Sequence, residues 1–229
     1  MRRMSAQGPR RASERTPLLL RKERTIPDST RRPIAVLISG GGTTLENLIA
    51  ATRDGRLPNV RIALVISSRE DVRGVTIARD AGLPLEIIRK RDFADEAAFS
   101  NAIVAALDRA GVRLVAMAGF LCQWRIPPRY TGLVLNIHPA LLPRHGGHGM
   151  YGMRVHAAVL ASRERESGCT VHVADDEYDH GPILAQLRVP VLPGDTPETL
   201  AARVAAAERE LYPRVIRDVL EASRHSGAN

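Results

Sequence analysis

The stretch that decides the fold is IAVLISGGGTT, residues 34–44, which joins an apolar run to a glycine-rich turn. The five consecutive apolar residues 34–38 are typical of a strand that is buried on both faces of a sheet. Leu45, Leu48 and Ile49 follow at the spacing of an amphipathic helix. The stretch therefore predicts a strand, a glycine loop and a helix, which together open a parallel α/β sheet.

The same alternation of apolar runs and helical periodicity continues along the chain. Further strands are predicted at 60–66, 85–88, 114–117 and 133–135, with helices near 73–82 and 95–110 between them. A short helix is then predicted at 153–162, strands at 170–174 and 183–191, and a final helix at 196–222. This order predicts an α/β fold with a doubly wound, mostly parallel sheet, a C-terminal β-hairpin-like segment and a long final helix.

Length and composition are those of one globular domain. The chain has 229 residues, of which 44% are hydrophobic and 25% charged, and this is enough for a sizeable core. Its two cysteines, Cys122 and Cys169, exclude a disulfide scaffold, and no apolar run approaches the length of a membrane span. With no signal-peptide pattern, these features predict a cytoplasmic protein without a membrane partner. Monomer and homodimer both remain open.

The net charge of +8 is concentrated at the N-terminus. Residues 1–32 hold ten basic and three acidic residues, so the rest of the chain carries only +1. We expect residues 1–32 to form a disordered basic extension and residues 33–229 to form a single domain. A nearly neutral domain argues against nucleic acid as a partner, although a basic arm for nucleic acid or a membrane surface is an alternative for the extension.

The glycine loop after the first strand is typical of a site for a small phosphomonoester. It presents backbone N–H groups at a helix N-terminus, where the helix dipole favours an anion. The loop lacks the lysine of a Walker A motif, and Leu45 stands where a dinucleotide fingerprint needs a third glycine. A tight turn in which Thr43 or Thr44 merely caps the helix remains the alternative.

A second polar motif follows the fifth predicted strand. Asn136 and His138 are two residues apart, so their side chains point to the same side if the strand continues. In open α/β sheets, ligands bind outside the carboxyl ends of the strands. An amide donor beside an imidazole is suited to holding a developing oxyanion.

These residues belong to a longer motif. Residues 136–143, NIHPALLP, resemble the hallmark segment of the formyltransferase family that uses 10-formyltetrahydrofolate. Other segments resemble motifs of the branch of that family that formylates glycinamide ribonucleotide in purine biosynthesis. They are ISGGGT at 38–43, AGF at 118–120, DEYDHGP at 176–182, and Glu208 with LYP at 211–213. The matches follow the family's order over about 34–220, so together they are specific.

The resemblance implies a Rossmann-like formyltransferase fold and a direct acyl transfer. The amine of glycinamide ribonucleotide would attack the formyl carbon of the co-substrate 10-formyltetrahydrofolate and release tetrahydrofolate, without a covalent enzyme intermediate or a metal. Asn136 and His138 would polarise the formyl oxygen. Asp179 would pair with His138, raise the pKa of the imidazole toward 7 and help to move the proton.

The resemblance also implies how the two substrates are held. The ribonucleotide would be bound through its phosphate by Gly42, Thr43 and Thr44, and through its ribose hydroxyls by Glu208. The folate would be bound by Leu121, Cys122, Gln123, Trp124 and Asn136. Residues 33–135 would then form a phosphate- and nucleotide-binding half, and residues 136–229 a catalytic and folate-binding half.

Two positions depart from the family pattern. Cys122 stands where the family usually has an arginine, and Glu96 stands where many members have an arginine that touches the folate tail. Because an acid would repel the glutamate tail, Arg89 or Arg91 is expected to take over that contact.

Other functions remain open. Formyltetrahydrofolate deformylase and methionyl-tRNA formyltransferase share the hallmark segment, and we expect an N-terminal regulatory domain in the first and a C-terminal β-barrel domain in the second. A non-catalytic nucleotide-binding module would need the phosphate loop but not Asn136, His138 and Asp179 together. The remaining histidines match no standard zinc spacing, so no metal site is expected.

Overall fold

The computed structural model describes residues 30–225, which form a seven-stranded sheet with helices on both faces. The strands are β1 (Arg32–Ile38), β2 (Val60–Ser67), β3 (Leu85–Ile87), β4 (Leu114–Met117), β5 (Val134–His138), β6 (Glu166–Val173) and β7 (Ile183–Pro190). The helices are α1 (Thr43–Asp54), α2 (Arg73–Asp80), α3 (Glu96–Ala110), α4 (Met153–Ala161) and α5 (Pro197–His225). Most of the expected disordered extension lies outside the described residues, but its last residue, Arg32, already belongs to β1.

The strand order is β3-β2-β1-β4-β5-β6-β7. β1 to β5 pair in parallel, whereas β6 is antiparallel to both of its neighbours. This order confirms the predicted doubly wound, mostly parallel sheet with a C-terminal hairpin and a long final helix. The chain winds in opposite directions from β1 and β4, so the switch point where such sheets bind ligands lies between these two strands.

Two buried clusters fill the faces of the sheet. Alternate residues of β1 go to opposite clusters: Val36 packs on the side of α1 and α5, and Leu37 packs on the side of α3. A strand that is buried on both faces is therefore confirmed where the apolar run predicted it. The long helix α5 also reaches the strand ends through Tyr212, whose hydroxyl lies 3.0 and 2.9 Å from the carbonyl oxygens of Met117 and Leu135.

β5 and β6 extend furthest beyond the bounds that the sequence predicted. β5 continues through His138, and β6 begins at Glu166, because these segments pair with neighbouring strands rather than because they are apolar. Gly168 permits the close approach of β7, since a Cβ atom there would lie 2.1 Å from the carbonyl oxygen of Leu187. Within residues 30–225, no helix combines the length and the apolar character that crossing a membrane requires.

Candidate active site

The carboxyl ends of β1, β4 and β5 open into a cleft of about 640 Å³, a size typical of small-molecule sites. The cleft gathers the predicted catalytic residues and the residues predicted to bind the ribonucleotide and the folate, apart from the arginine expected at the folate tail. They are Gly42, Thr43, Thr44, Leu121, Cys122, Gln123, Trp124, Asn136, His138, Asp179 and Glu208. The lining draws on both proposed halves of the chain. The role of each residue remains a prediction.

Four polar side chains meet at the floor of the cleft. Nδ1 of His138 lies 3.3 Å from Oδ2 of Asp179. The amide nitrogen of Asn136 lies 3.3 Å from Oδ1 of Asp179 and 3.0 Å from Nε2 of His172. Since β5 pairs with β6 so that Asn136 faces His172, the register of the two strands brings this pair together.

Backbone carbonyls determine which nitrogens carry protons. Nε2 of His138 donates to the carbonyl of His145 at 2.8 Å, so Nδ1 is the nitrogen that gains or loses a proton opposite Asp179. Nδ1 of His172 likewise donates to the carbonyl of Val173 at 3.0 Å. Nε2 of His172 is therefore an acceptor for Asn136, and the Asn136 amide group points its nitrogen, not its oxygen, at the cluster.

Burial is the main influence on the pKa of His138. It lowers the pKa of His138 below the usual value, although the charge of Asp179 acts in the opposite direction. The expectation that Asp179 lifts this pKa toward 7 is therefore wrong in its net direction, because desolvation of the cation outweighs the carboxylate. Burial raises the pKa of Asp179, but His172, His138 and the Gly147 amide outweigh it, so the pKa is below the usual value.

Asp179 has an uncommon backbone conformation, and its side chain contacts two neighbouring glycines, Gly146 and Gly147. Its φ of 56° lies in the left-handed region, which is uncommon for a residue other than glycine. The N–H of Gly147 donates to Oδ2 of Asp179 at 3.0 Å. A Cβ atom on Gly146 would lie 2.4 Å from the Leu142 side chain and 3.1 Å from the Cβ of Asp179, so a side chain there would displace both neighbours.

The glycine loop forms the opposite end of the cleft. Gly42 is the N-cap of α1 with a φ of 73°, and no side chain caps this helix end. The alternative that Thr43 or Thr44 merely caps the helix is thus wrong. Within the described part of the chain, the N–H groups of Thr43 and Thr44 have no partner, and they are free to bind an anion.

A second glycine supports this loop. A Cβ atom on Gly42 would lie 2.5 Å from the Cα of Gly74 in α2, so the two backbones touch. The N–H of Gly74 donates to the carbonyl of Gly40 at 3.1 Å. Arg73 donates to the carbonyl of Gly41 at 3.1 Å, and it also pairs with Glu46 at 2.9 Å.

Glu208 brings a carboxyl group from α5 into the cleft. Burial raises its pKa to about 7, and the nearby Arg209 offsets this only partly. Among residues 30–225, no side chain or backbone group makes a hydrogen bond or ion pair with this carboxyl. A half-buried acceptor without a protein donor is suited to a ligand that brings its own donors, such as a pair of hydroxyl groups.

The comparison with known proteins identifies the family. A sequence profile described as formyl transferase matches residues 32–216, which is most of the chain. The chain belongs to the formyl transferase family. The resemblance inferred from the motifs is thereby confirmed.

Three similar proteins illustrate the match. The phosphoribosylglycinamide formyltransferase of Haemophilus influenzae is 36% identical over 188 residues, which cover 81% of this formyl transferase and 86% of that protein. The chloroplastic phosphoribosylglycinamide formyltransferase of Arabidopsis thaliana is 40% identical over 195 residues, and the chain spans 66% of its length. Glycinamide ribonucleotide transformylase 1 from Symbiobacterium toebii has the same fold, with a TM-score of 0.77 and 38% identity over 84% of this chain and 89% of that one.

The segment predicted to bind folate forms one wall of the cleft. Ser39 accepts a hydrogen bond from the N–H of Leu121 at 2.9 Å, which ties the segment to the end of β1. The Gln123 amide donates to the carbonyl of Asp176 on the acidic loop. Trp124 is only 3% exposed and packs on the α3 side of the sheet, so it serves the core as well as the cleft.

The expected substitute for the missing arginines is not found at the cleft. Arg89 is tied to Glu70 and Asp92, at 2.8 and 2.6 Å. Neither Arg89 nor Arg91 lines the cleft, where Arg154 is the single arginine or lysine among the described residues.

Sequence analysis assigns no catalytic role to His172 and does not identify the glycines that support the site. The strand register reveals His172 as the partner of Asn136, and only the packing shows that a side chain at Gly74 or Gly146 would collide with its neighbours. Within residues 30–225, no group of three His, Cys, Asp or Glu side chains is placed to hold a metal ion.

The protonation of His138 is testable by NMR titration of the histidine ring signals. His138 should titrate below its ordinary pKa, and Asp179→Asn should lower the pKa further because it removes the charge that favours the cation. Asp175→Asn is the matched control, since Asp175 raises the pKa of His180 and not that of His138. An unchanged His138 titration in Asp179→Asn would show that the two side chains are not coupled.

The desolvated carboxyl of Glu208 predicts a stability that depends on pH. Its pKa is raised on folding, so its contribution to stability is complete below about pH 4.5 and is lost as the pH rises through about 7. Glu208→Gln should therefore raise the free energy of unfolding at pH 8, and the gain should shrink toward pH 5. Chemical denaturation at the two pH values measures this, with Glu210→Gln, an exposed glutamate of the same helix, as the control. If Glu208→Gln does not raise the free energy of unfolding at pH 8, the Glu208 carboxylate does not destabilise the fold and the prediction is contradicted.

Proposed function

We propose that this formyl transferase transfers the formyl group of 10-formyltetrahydrofolate to the amine of glycinamide ribonucleotide. The products are formylglycinamide ribonucleotide and tetrahydrofolate, in the de novo purine pathway. The observation that carries the proposal is one cleft that holds both an anion site at Thr43 and Thr44 and the Asn136–His138–Asp179 cluster. The names of the similar proteins support it.

The ribonucleotide is bound at the glycine-loop end of the cleft. Its phosphate accepts the free N–H groups of Thr43 and Thr44 at the positive end of α1. Its ribose hydroxyls donate to Glu208, whose carboxyl has no other donor in the described part of the chain. With both ends held, the glycinamide amine reaches toward the polar cluster and is positioned for attack.

The reaction forms one C–N bond and breaks another. The amine attacks the formyl carbon, and the carbonyl oxygen becomes an oxyanion in a tetrahedral intermediate. This intermediate collapses when the bond to the folate N10 breaks, and N10 receives the proton that the amine has given up. His138 is largely neutral at pH 7 because burial lowers its pKa, so it can accept that proton and pass it on.

The oxyanion must be stabilised by a hydrogen-bond donor that already has an acceptor within the protein. Both N–H groups of Asn136 and the Nε2–H of His138 have acceptors within the protein. The oxyanion must therefore replace one of these acceptors, and the carbonyl of His145 is the one carried by a glycine-rich loop. Once His138 is protonated, Asp179 stabilises the imidazolium that faces the oxyanion.

The folate co-substrate occupies the opposite wall, along Leu121 to Trp124. Arg154, which lies 5.2 Å from the centre of the Tyr151 ring, is the basic side chain available in the lining for a carboxylate of the folate tail. No metal takes part in the proposed reaction. A cytoplasmic location and a monomeric or homodimeric state remain predictions from the sequence.

The direct test is an assay of the purified protein with both substrates. We expect tetrahydrofolate to form only when glycinamide ribonucleotide is present, with one formylated amine for each folate. Release of formate without the ribonucleotide would instead indicate the deformylase, and formylation of methionyl-tRNA the transfer-RNA enzyme. Binding of both ligands without turnover would indicate a nucleotide-binding module.

The phosphate site is testable with a charge at Thr43, which is exposed at the first turn of α1. Thr43→Asp should raise the KM for glycinamide ribonucleotide by about tenfold or more, because a carboxylate repels the phosphate. It should leave the KM for the folate unchanged, and an acidic residue at a helix N-terminus does not destabilise the helix. Thr43→Asn, with the same size and no charge, is the control. A higher KM for the folate instead would mean that the two subsites are exchanged.

A further inference from the structure

A second cavity of about 540 Å³ has no lining residue in common with the active-site cleft. Its walls come from the segment after β5, the end of α4, the start of β6 and the middle of β7. The segment after β5 is anchored there, because Thr170 accepts the N–H of Leu142 at 3.0 Å and Gln186 donates to the Leu142 carbonyl at 2.9 Å. The proposed reaction makes no use of this cavity.

The lining of this second cavity is positively charged. Four arginines and two glutamates line it, which leaves an excess of two positive charges. Arg144 pairs with Glu164, and Arg188 pairs with Glu166, both at 2.9 Å. The remaining two arginines, Arg163 and Arg165, are exposed, and their side chains have no ion-pair or hydrogen-bond partner within residues 30–225.

Two buried polar atoms of the lining also have no hydrogen-bond partner among the described residues. They are the hydroxyl of Ser167, a residue that is 2% exposed, and Nε2 of His145. The nearest acid to His145 is Glu164, whose Oε1 lies 3.7 Å from Nε2, beyond hydrogen-bond distance. Buried polar atoms are almost always satisfied, so two orphans in one cavity point to a missing polar ligand.

We propose that the second cavity binds a phosphate group, either free or on a small ester, and that its occupant acts on the catalytic histidine. A tetrahedral anion offers acceptors to Arg163 and Arg165, whose side chains have no partner within residues 30–225, and its two charges match the excess in the lining.

His145 connects the two cavities. Its side chain lines the second cavity, and its backbone carbonyl accepts the hydrogen bond from Nε2 of His138 in the first. A ligand that draws the His145 side chain into the second cavity therefore changes the position of the carbonyl that the oxyanion has to replace. The occupant would thus modulate the chemical step without touching the substrates.

Calorimetric titration with inorganic phosphate tests the site. Thr43→Asp protein is used, so that phosphate does not bind at the glycine loop. We expect one binding event, and Arg163→Gln with Arg165→Gln should weaken it at least about tenfold through the loss of two charged donors. Arg91→Gln is the control, because Arg91 is equally exposed and lines neither cavity. Absence of binding, or equal binding by the double variant, would overturn the proposal.

Two further measurements complete the test. The same titration is repeated with ribose 5-phosphate. Whichever ligand binds more tightly shows whether the cavity prefers free phosphate or a phosphate ester. The ring signals of His138 should shift when phosphate binds to Thr43→Asp protein, and they should not shift in the variant that lacks the two arginines. Phosphate binding with unchanged His138 signals would overturn the connection between the cavities. Neither readout requires turnover, so failure here is distinguishable from failure of the proposed reaction.

Discussion

Antiparallel pairing of β6 with β5 is the constraint on which the candidate active site depends. The pairing extends β5 beyond its apolar run as far as His138 and places His172 opposite Asn136. With His172 fixed by the carbonyl of Val173, the Asn136 amide has one satisfied orientation, and that orientation also serves Asp179. A fifth strand that ended at Leu135 would leave both Asn136 and His138 in an irregular loop.

Three residues of the candidate site have conformations or surroundings that are unfavourable for them. Asp179 adopts a left-handed backbone conformation, His138 is buried at the expense of its charged form, and Glu208 is desolvated without a donor. Each of these features lowers the stability of the fold, and proteins keep such destabilising features mainly at functional sites. The cores on the two faces of the sheet and the contact of Tyr212 with two strand ends supply the rigid frame that keeps these groups in place.

The sequence predicts the architecture well because its signals are local. Apolar runs and helical spacing predict an element at each of the seven strands and five helices of residues 30–225, and the glycine loop predicts an anion site at the end of β1. The motif match assigns residues as distant as Thr43, Asp179 and Glu208, and the structure gathers these residues in one cleft. What the sequence misses depends on contacts between distant segments. The net pKa shift of His138 depends on burial, and the need for glycine at position 74 depends on its contact with Ile38 and the carbonyl of Gly40. Because residues 166–169 are only weakly apolar, the sequence does not predict the first half of β6.

The central claim is that His138 and Asp179 act as one unit in formyl transfer, and a double-mutant cycle on kcat tests it most directly. His138→Ala and Asp179→Asn should each lower kcat by about 10²-fold or more, which is the scale of lost acid–base and oxyanion help. The double variant should be little slower than the slower single variant, because residues that act as a unit are not additive. Losses that multiply to about 10⁴-fold would show two independent roles, and near-normal turnover in either single variant would contradict the account altogether.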